Sequence, residues 1–322
     1  MDLVGLDEVR SAYELLKGVA VRTPLEYSRA VSDKVGGPTY LKCENLQRTG
    51  AFKIRGAYNC IHRLSDTERS RGVVAASAGN HAQGVALAAS LLGVEATVFM
   101  PEGASLPKME ATASYGATVT LAGAVYDEAF QAARAYATET GAVMVHPFDH
   151  PDVIAGQGTI SIELLEQLPG LRTIIVPVGG GGLISGIAAA AKGLDPSVRI
   201  IGVEPEGAAN VSKSLGAGKL VELPEISTVA DGLAAKQAGE VCLAHIRDLV
   251  DDVITVTDDQ IAEALLVVVE RAKLVVEPAG AAGVAAMLTG RLEVEFPAAI
   301  VLSGGNIDPL LLLRVIRFGM GS

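Results

Sequence analysis

Between Gly72 and Pro147 two patterns alternate, and that alternation restricts the fold more than any other feature of the chain. Four short runs rich in small and β-branched residues, VVAAS, EATVFMP, ATVTLA and AVMVHPF, read as strands. The intervening runs HAQGVALAASLLG, SLPKMEATASYG and YDEAFQAARAYATETG read as helices. Strands joined by helical crossovers pair in parallel, because a parallel pair needs a connection too long for a hairpin. Residues 72–148 are therefore expected to fold as a small α/β domain. A second alternating series begins near VIAGQGTISIELLEQL and carries the strand-like runs TIIVPV, RIIGVEP, DDVITV and AAIVLS. Residues 1–71, with the strand TYLKCEN and helices of their own, are assigned together with residues 149–322 to a second, larger domain. The expected class is α/β, with open parallel twisted sheets and helices on both faces. Two helix starts are legible: TDDQ at 257–260 fits a capping box, and Asp308 before Pro309 supplies a cap and a first-turn proline.

With 322 residues, 49% of them hydrophobic, the chain can bury two ordinary cores. A formal net charge of −11 and the lack of a basic block argue against a nucleic-acid partner or an anionic membrane surface. Aromatic residues make up 4% and tryptophan is missing, which leaves little for base stacking. The uncharged stretch 173–191 approaches the length of a membrane span, but Pro177 and the glycines within it fit a buried strand, loop and helix better. The opening MDLVGLDEVR places acids where a secretion signal carries basic residues, so a soluble cytoplasmic protein is expected. Cys43, Cys60 and Cys242 show no metal-ligand or CxxC spacing and read as idle thiols of a reducing compartment.

Ligands of open parallel sheets gather beyond the carboxyl ends of the strands. The loops there read SAGNHAQG (77–84), GGGGL (179–183) and SGGN (303–306), small and rich in glycine, with Ser, Asn or His and almost no charge. Together they offer many hydrogen bonds around one crevice and suit a flat, polar, anionic ligand. In PVGGGGLISG the four glycines lie between a strand-like run and a helix-like run, so they form a turn and not a flexible linker. The first helical amides converge there with the positive end of the helix dipole, which makes a candidate phosphate cradle. Neither nucleotide spacing fits. A dinucleotide loop would need glycine at Ile184 or Ser185, and a P-loop would need Gly-Lys-Ser/Thr where Ser185, Gly186 and Ile187 stand. The cradle has no lysine of its own, so its ligand is expected to make its other contacts on distant parts of the chain.

ENLQRTGAFKIRGAYN puts Lys53 at the start of a helical run, where the dipole disfavours an ammonium, and Arg48 and Arg55 would add to that if they face it. Both effects push a lysine toward the neutral, nucleophilic form that a Schiff-base lysine requires. An ordinary solvated lysine fits the same spacing, and these residues alone do not single Lys53 out. His81, in GNHAQG, reads either as a general base or as a neutral donor of the loop; the second is favoured because no carboxylate is near to orient it. His62, His146, His150 and His245 show no triad or metal spacing.

Seven motifs in order, ENLQRTGAFKIRGA, SAGNHAQGVA, VIAGQGT, PVGGGGL, GVEPEGA, VVEPAGA and LSGGNID, resemble the fold-type II pyridoxal-phosphate enzymes, and within them the threonine ammonia-lyase and serine racemase group. The resemblance covers nearly the whole chain and implies a two-domain, tryptophan-synthase-β-like fold with pyridoxal 5'-phosphate as cofactor. It implies that Lys53 carries the cofactor aldehyde, that Phe52 lines the ring and that Asn80 bonds the ring 3-hydroxyl. Gly179, Gly180, Gly181, Gly182 and Leu183 match the phosphate loop, and Ser303 matches the partner of the pyridine nitrogen. A neutral hydroxyl cannot hold that nitrogen protonated, so the ring is a weaker electron sink, which favours elimination over transamination. By the same resemblance Ser77, Asn80 and His81 hold the substrate carboxylate, and Lys53 takes the Cα proton, which makes Lys53, Ser77 and His81 the catalytic candidates. Loss of the β-hydroxyl, protonated through the cofactor phosphate, then gives an enamine that hydrolyses to a 2-oxo acid and ammonia. The expected substrates are L-threonine, giving 2-oxobutyrate, and more slowly L-serine, giving pyruvate.

Racemases of the group carry a serine where this chain has Ala78, so negligible racemisation is expected. Phe148, in HPFD, is expected to give the side-chain pocket an apolar wall that prefers threonine's extra methyl by about 1–3 kcal/mol. The group's cation site uses a carboxylate, a backbone carbonyl and a second acid, and Glu204, Ala208 and Asn210 fall on those positions. Asn210 is expected to keep an oxygen ligand while removing one charge, so that a structural divalent ion binds weakly or a monovalent one replaces it. Allosteric members continue past the last helix into a regulatory domain; this chain ends at RFGMGS, and that domain is expected to be absent. A homodimer or homotetramer is expected from the family. Serine racemase and other small β-hydroxy-amino-acid dehydratases are the alternatives within the group. A non-catalytic binder fits less well, since it needs no nucleophile.

Overall fold

The computed structural model describes residues 3–318; residues 1–2 and 319–322, the tips of the MDLVGLDEVR and RFGMGS segments, lie outside the described residues. The strands among the described residues are β1 (Leu25–Tyr27), β2 (Thr39–Lys42), β3 (Val73–Ala76), β4 (Ala96–Met100), β5 (Thr118–Leu121), β6 (Val143–Met144), β7 (Thr173–Pro177), β8 (Arg199–Pro205), β9 (Asp252–Val256) and β10 (Ala298–Val301). They make one four-stranded sheet in the order β5-β4-β3-β6 and one six-stranded sheet in the order β1-β2-β10-β7-β8-β9. Strands β3, β7 and β10 are buried along their whole length, as parallel strands covered on both faces must be. Alternation along β7 shows both coverings. Ile174 and Val176 pack toward Ile184 and Ile187, whereas Ile175 packs toward Val284 and Leu265 on the opposite face. In the four-stranded sheet Val73 and Ala75 face Val85 and Ala89, and Val74 and Ala76 face Ala129 and Ala133.

Two departures from the sequence reading have local causes. β1 was not anticipated, and it pairs antiparallel with β2 at the sheet edge. The connection through the helix Arg29–Val35 is shorter than the dozen or so residues of a parallel crossover, and Gly36, at φ 78°, turns the chain back. β6 is much shorter than AVMVHPF suggested. Pro147 has no N–H to donate, and the amides of Phe148 and Asp149 turn inward onto His146 Nδ1, at 3.4 and 2.8 Å. The strand therefore breaks where its last residues are needed elsewhere.

The capping box at Thr257 and the Asp308 cap form as expected, Asp308 Oδ1 accepting from Leu310 N at 2.7 Å. The helix Pro151–Gln167 crosses the helix Gly182–Leu194 almost backbone to backbone. A Cβ on Gly186 would lie 2.1 Å from Ile154 O, and one on Gly158 would lie 2.6 Å from Gly186 O. Only glycine allows that approach, which anchors the start of the second helix under the glycine turn. No helix among the described residues is long and apolar enough to cross a membrane.

Candidate active site

The carboxyl ends of β3, β7 and β10 open into one cavity of about 840 Å³. Lys53, Ser77, Ala78, Asn80, His81, Phe52, Phe148, Ser303 and residues 179–183 all line it, although they are scattered along the chain from Phe52 to Ser303. Glu204, Ala208 and Asn210 do not line it.

Lys53 sits at the N-cap of the helix Ile54–His62. Its Nζ donates to Pro147 O at 2.8 Å and lies 5.1 Å from the centre of the Phe52 ring. Gly84 permits the close approach, since a Cβ there would come within 3.0 Å of Lys53 Cβ. Burial pushes the Lys53 ammonium down to about 8. The two arginines are not the cause. Arg48 is exposed, and Arg55 turns away into a buried cluster with Glu44 and Glu163. The helix start forms as expected, and the condition set on the arginines, that they face Lys53, is not met.

His81, the second residue of the helix Asn80–Leu92, places Nε2 at 2.8 Å from Val145 O. A carbonyl only accepts, so Nε2 carries the hydrogen. Burial, helped by Lys53, pushes this imidazole down to about 3, and it stays neutral. The donor reading of His81 is therefore the one the geometry favours. Ser77 Oγ accepts from Gly79 N at 3.1 Å and shapes the loop before the helix.

The glycine turn runs from the end of β7 into the helix Gly182–Leu194, with Gly181 at φ 99°. The amides of residues 179–183 donate to no protein group among the described residues, whereas the outer carbonyls are taken. Gly180 O accepts from Gly239 N at 3.0 Å, and Gly179 O accepts from Asn210 Nδ2 at 3.1 Å. The turn thus presents donors to the cavity with its acceptors tied down behind. Its lack of side chains has a second cause beside ligand approach. A Cβ on Gly180 would fall 2.4 Å from the Phe148 ring, and one on Gly182 would fall 2.8 Å from Phe148 Cβ. Phe148 therefore packs onto the turn as well as lining the cavity, with its ring edge-to-face on His146 at 4.7 Å.

A polar chain, of which the sequence reading named only Asn80, links three loops at the cavity. Asn306 Nδ2 donates to Asn80 Oδ1 at 2.8 Å and to Thr49 O at 2.7 Å, and Asn80 Nδ2 donates to Glu277 Oε1 at 2.6 Å. Thr49 is held there at φ 65°, a costly conformation for a β-branched residue, on the loop that leads to Lys53. Phe52 N donates to Ser303 O at 3.2 Å, so the Lys53 loop and the Ser303 loop are knitted together. Glu277 and Asn306 stand in the quoted motifs VVEPAGA and LSGGNID, and a single carboxylate in the apolar run LVVEPAGAAGVAA was a usable signal.

These features fit a flat phosphate ester: free amides at one end, a lysine of depressed pKa, and a cavity with Phe52 and Ser303 on its wall. The family model for pyridoxal-phosphate dependent enzymes matches residues 16–304. The chain belongs to that family. An L-threonine ammonia-lyase of Thermotoga maritima is 49% identical over 99% of this chain and 79% of its own length. The L-threo-3-hydroxyaspartate ammonia-lyase of Saccharomyces cerevisiae is 45% identical over 94% of this chain and 93% of its own. Among solved structures, maize serine racemase superposes with a TM-score of 0.93 at 42% identity, covering 98% of this chain and 97% of that one. The cofactor is accordingly pyridoxal phosphate.

In this pyridoxal-phosphate enzyme Glu277 carries a testable charge. Burial raises its carboxyl to about 7, and it faces Lys53 electrostatically, so its anion favours the ammonium. In Glu277→Gln that bias disappears while the acceptor for Asn80 remains. The pH midpoint for cofactor capture by the apoprotein should then move acid by up to about one unit. A midpoint that stays put or moves alkaline would contradict the assignment. Stability follows the same group. Its folded pKa lies above the unfolded one, so the wild type should lose stability as pH rises from about 4.5 to about 7, and the Gln variant should lose less.

The residues of the cation expectation, Glu204, Ala208 and Asn210, lie outside the cavity. Among the described residues no group of three His, Cys, Asp or Glu side chains could hold a metal ion. Asn210 turns its Nδ2, not its oxygen, toward the neighbouring carbonyls, with Gly179 O at 3.1 Å and Ala235 O at 3.0 Å. Those carbonyls only accept, so the amide has to meet them with its donor end.

Proposed function

We propose that this protein converts L-threonine to 2-oxobutyrate and ammonia by α,β-elimination, and L-serine more slowly to pyruvate and ammonia. The observation that carries the reading is the placement of Lys53, an amine held near its neutral form, in one cavity with an unused row of backbone donors. Bound pyridoxal phosphate supplies an electron sink that acidifies the substrate Cα–H. The amides of Gly179, Gly180, Gly181, Gly182 and Leu183 would take the phosphate, Ser303 the ring nitrogen, Asn80 the ring hydroxyl, and Phe52 the ring face. Lys53 would bind the aldehyde at rest and, as the free amine, take the Cα proton. Ser77, Asn80 and the backbone amide of His81 would hold the substrate carboxylate beside Ala78, at the N-terminus of the helix Asn80–Leu92.

The substrate side chain decides between the relatives' activities. A β-carboxylate would need a free cation in the cavity. Lys108 is paired with Asp231 at 3.2 Å and Lys236 with Asp127, while burial keeps His81 and His146 neutral, at about 3 and about 4. The remaining wall near Phe148 includes Tyr126 and Phe130, which favours threonine's methyl over a carboxylate. Supplied with L-threonine, L-serine and L-threo-3-hydroxyaspartate, the enzyme should form 2-oxo acid fastest from threonine. A faster rate on hydroxyaspartate or serine would overturn this choice. With Ala78 in place of a second acid/base, L-serine should yield pyruvate and negligible D-serine by chiral analysis; D-serine outrunning pyruvate would make the protein a racemase. We further place the enzyme in the cytoplasm as a homodimer or homotetramer, with residues 72–148 as the smaller of two domains.

A further inference from the structure

We infer that this enzyme needs no structural cation behind its glycine turn, because the carboxamide of Asn210 bridges the carbonyls that such an ion would join. Three carbonyl oxygens converge on Asn210 Nδ2: Ala235 O at 3.0 Å, Gly179 O at 3.1 Å and, more weakly, Ala208 O at 3.5 Å. Converging carbonyls repel unless something positive lies between them, and either a cation or a pair of N–H donors meets that need. The –NH2 group has two hydrogens for its two short contacts. Asn210 is completely buried, and its Oδ1 has no partner, so the side chain is held through its donor end. Turning the amide over would set Oδ1 against Gly179 O and Ala235 O and lose both bonds.

The carboxylate of the expected ligand set is also committed. Glu204, at the end of β8, accepts with Oε1 from Val211 N at 2.8 Å. With Oε2 it accepts from Ser212 N at 2.8 Å and Ser212 Oγ at 2.6 Å. It caps the helix Asn210–Ala217, whose first amides would otherwise be buried without acceptors. A calcium or magnesium ion asks for about six or more oxygens, and this place supplies three carbonyls beside a carboxylate that already accepts three hydrogen bonds. The amide also does what an ion here would do for the neighbouring site. It ties Gly179, on the phosphate-facing turn, to Ala235, on the segment that covers it.

The test is thermal unfolding of the holoenzyme with EDTA, and with millimolar Mg²⁺, Ca²⁺, Mn²⁺ or K⁺. The expected result is the same unfolding temperature in every case. A rise of about 5 °C or more with any one ion, the size a site filled well above its dissociation constant produces, would overturn the inference. Asn210→Asp gives the converse. It puts a carboxylate against the same carbonyls, so it should unfold at a lower temperature in EDTA and recover on adding a divalent ion. An Asp variant that folds and ignores divalent ions would also overturn it. Neither readout depends on which amino acid the enzyme turns over, so a failed substrate assignment would leave this test standing.

Discussion

Lys53→Ala is expected to lower turnover of L-threonine by at least about a thousandfold, because one amine serves both to bind the cofactor aldehyde and to move the Cα proton. The variant should fold, since the Lys53 side chain makes only one hydrogen bond, to Pro147 O, and a neutral methyl relieves the cost of a buried ammonium. Borohydride should attach the cofactor covalently to the wild type and leave the variant unlabelled. Lys53→Arg should not restore activity, as a guanidinium does not deprotonate near neutral pH. The pH dependence has a definite sign. Only the neutral amine attacks an aldehyde, so the rate at which apoprotein captures pyridoxal phosphate should climb with pH and level off above about 8. A rate independent of pH across that range, or residual turnover within tenfold of wild type in Lys53→Ala, would remove Lys53 from the reaction.

Arg55→Met should cost about 3–5 kcal/mol of stability, the largest loss expected of any change outside the cavity. Arg55 is 1% exposed and donates to Glu44 Oε2 and Oε1 at 2.9 and 2.8 Å, and to Glu163 Oε1 at 2.7 Å. Lys42, also fully buried, reaches Glu163 Oε2 at 2.6 Å and Thr23 O at 2.8 Å. Two cations and two anions thus balance with every charge hydrogen-bonded. Removing Arg55 leaves two carboxylates sharing one lysine, and the penalty comes from the charge left behind more than from the bonds lost. Burial works against the Glu44 charge, yet Arg55 outweighs it and holds that carboxyl below its ordinary value. A depressed folded pKa stabilises above the unfolded value, so this contribution should be lost as pH falls below about 4.5. Urea unfolding of the holoenzyme measures the effect; a loss under about 1 kcal/mol would mean the cluster is wetter than its burial indicates. The exposed pair of Lys17 and Glu14 is the control, and Lys17→Met should change stability by no more than about 0.5 kcal/mol. Activity of Arg55→Met should fall as well, since the same helix start carries Lys53.

The amino-acid sequence by itself determined what depends on near neighbours. Alternating apolar runs and crossovers set the parallel strands of both sheets, and PVGGGGLISG set a strand-to-helix turn with free amides, because strand, turn and helix are each decided within about ten residues. Lys53 was placed at a helix start for the same reason. Direction and partnership were decided only by the tertiary structure. Arg55 lies two residues from Lys53, yet it points at Glu163, 108 positions away, so burial and not repulsion lowers the Lys53 pKa. Glu277 meets Asn80 across 197 positions, and Phe148 stacks on glycines some thirty residues downstream. Asn210 shows the limit most plainly. Its identity suggested an oxygen for a cation, but an amide has an acceptor end and a donor end of nearly equal size. Which end faces Gly179 and Ala235 is set by carbonyls brought in from two other segments, 31 and 25 positions away, and no local pattern records their arrival.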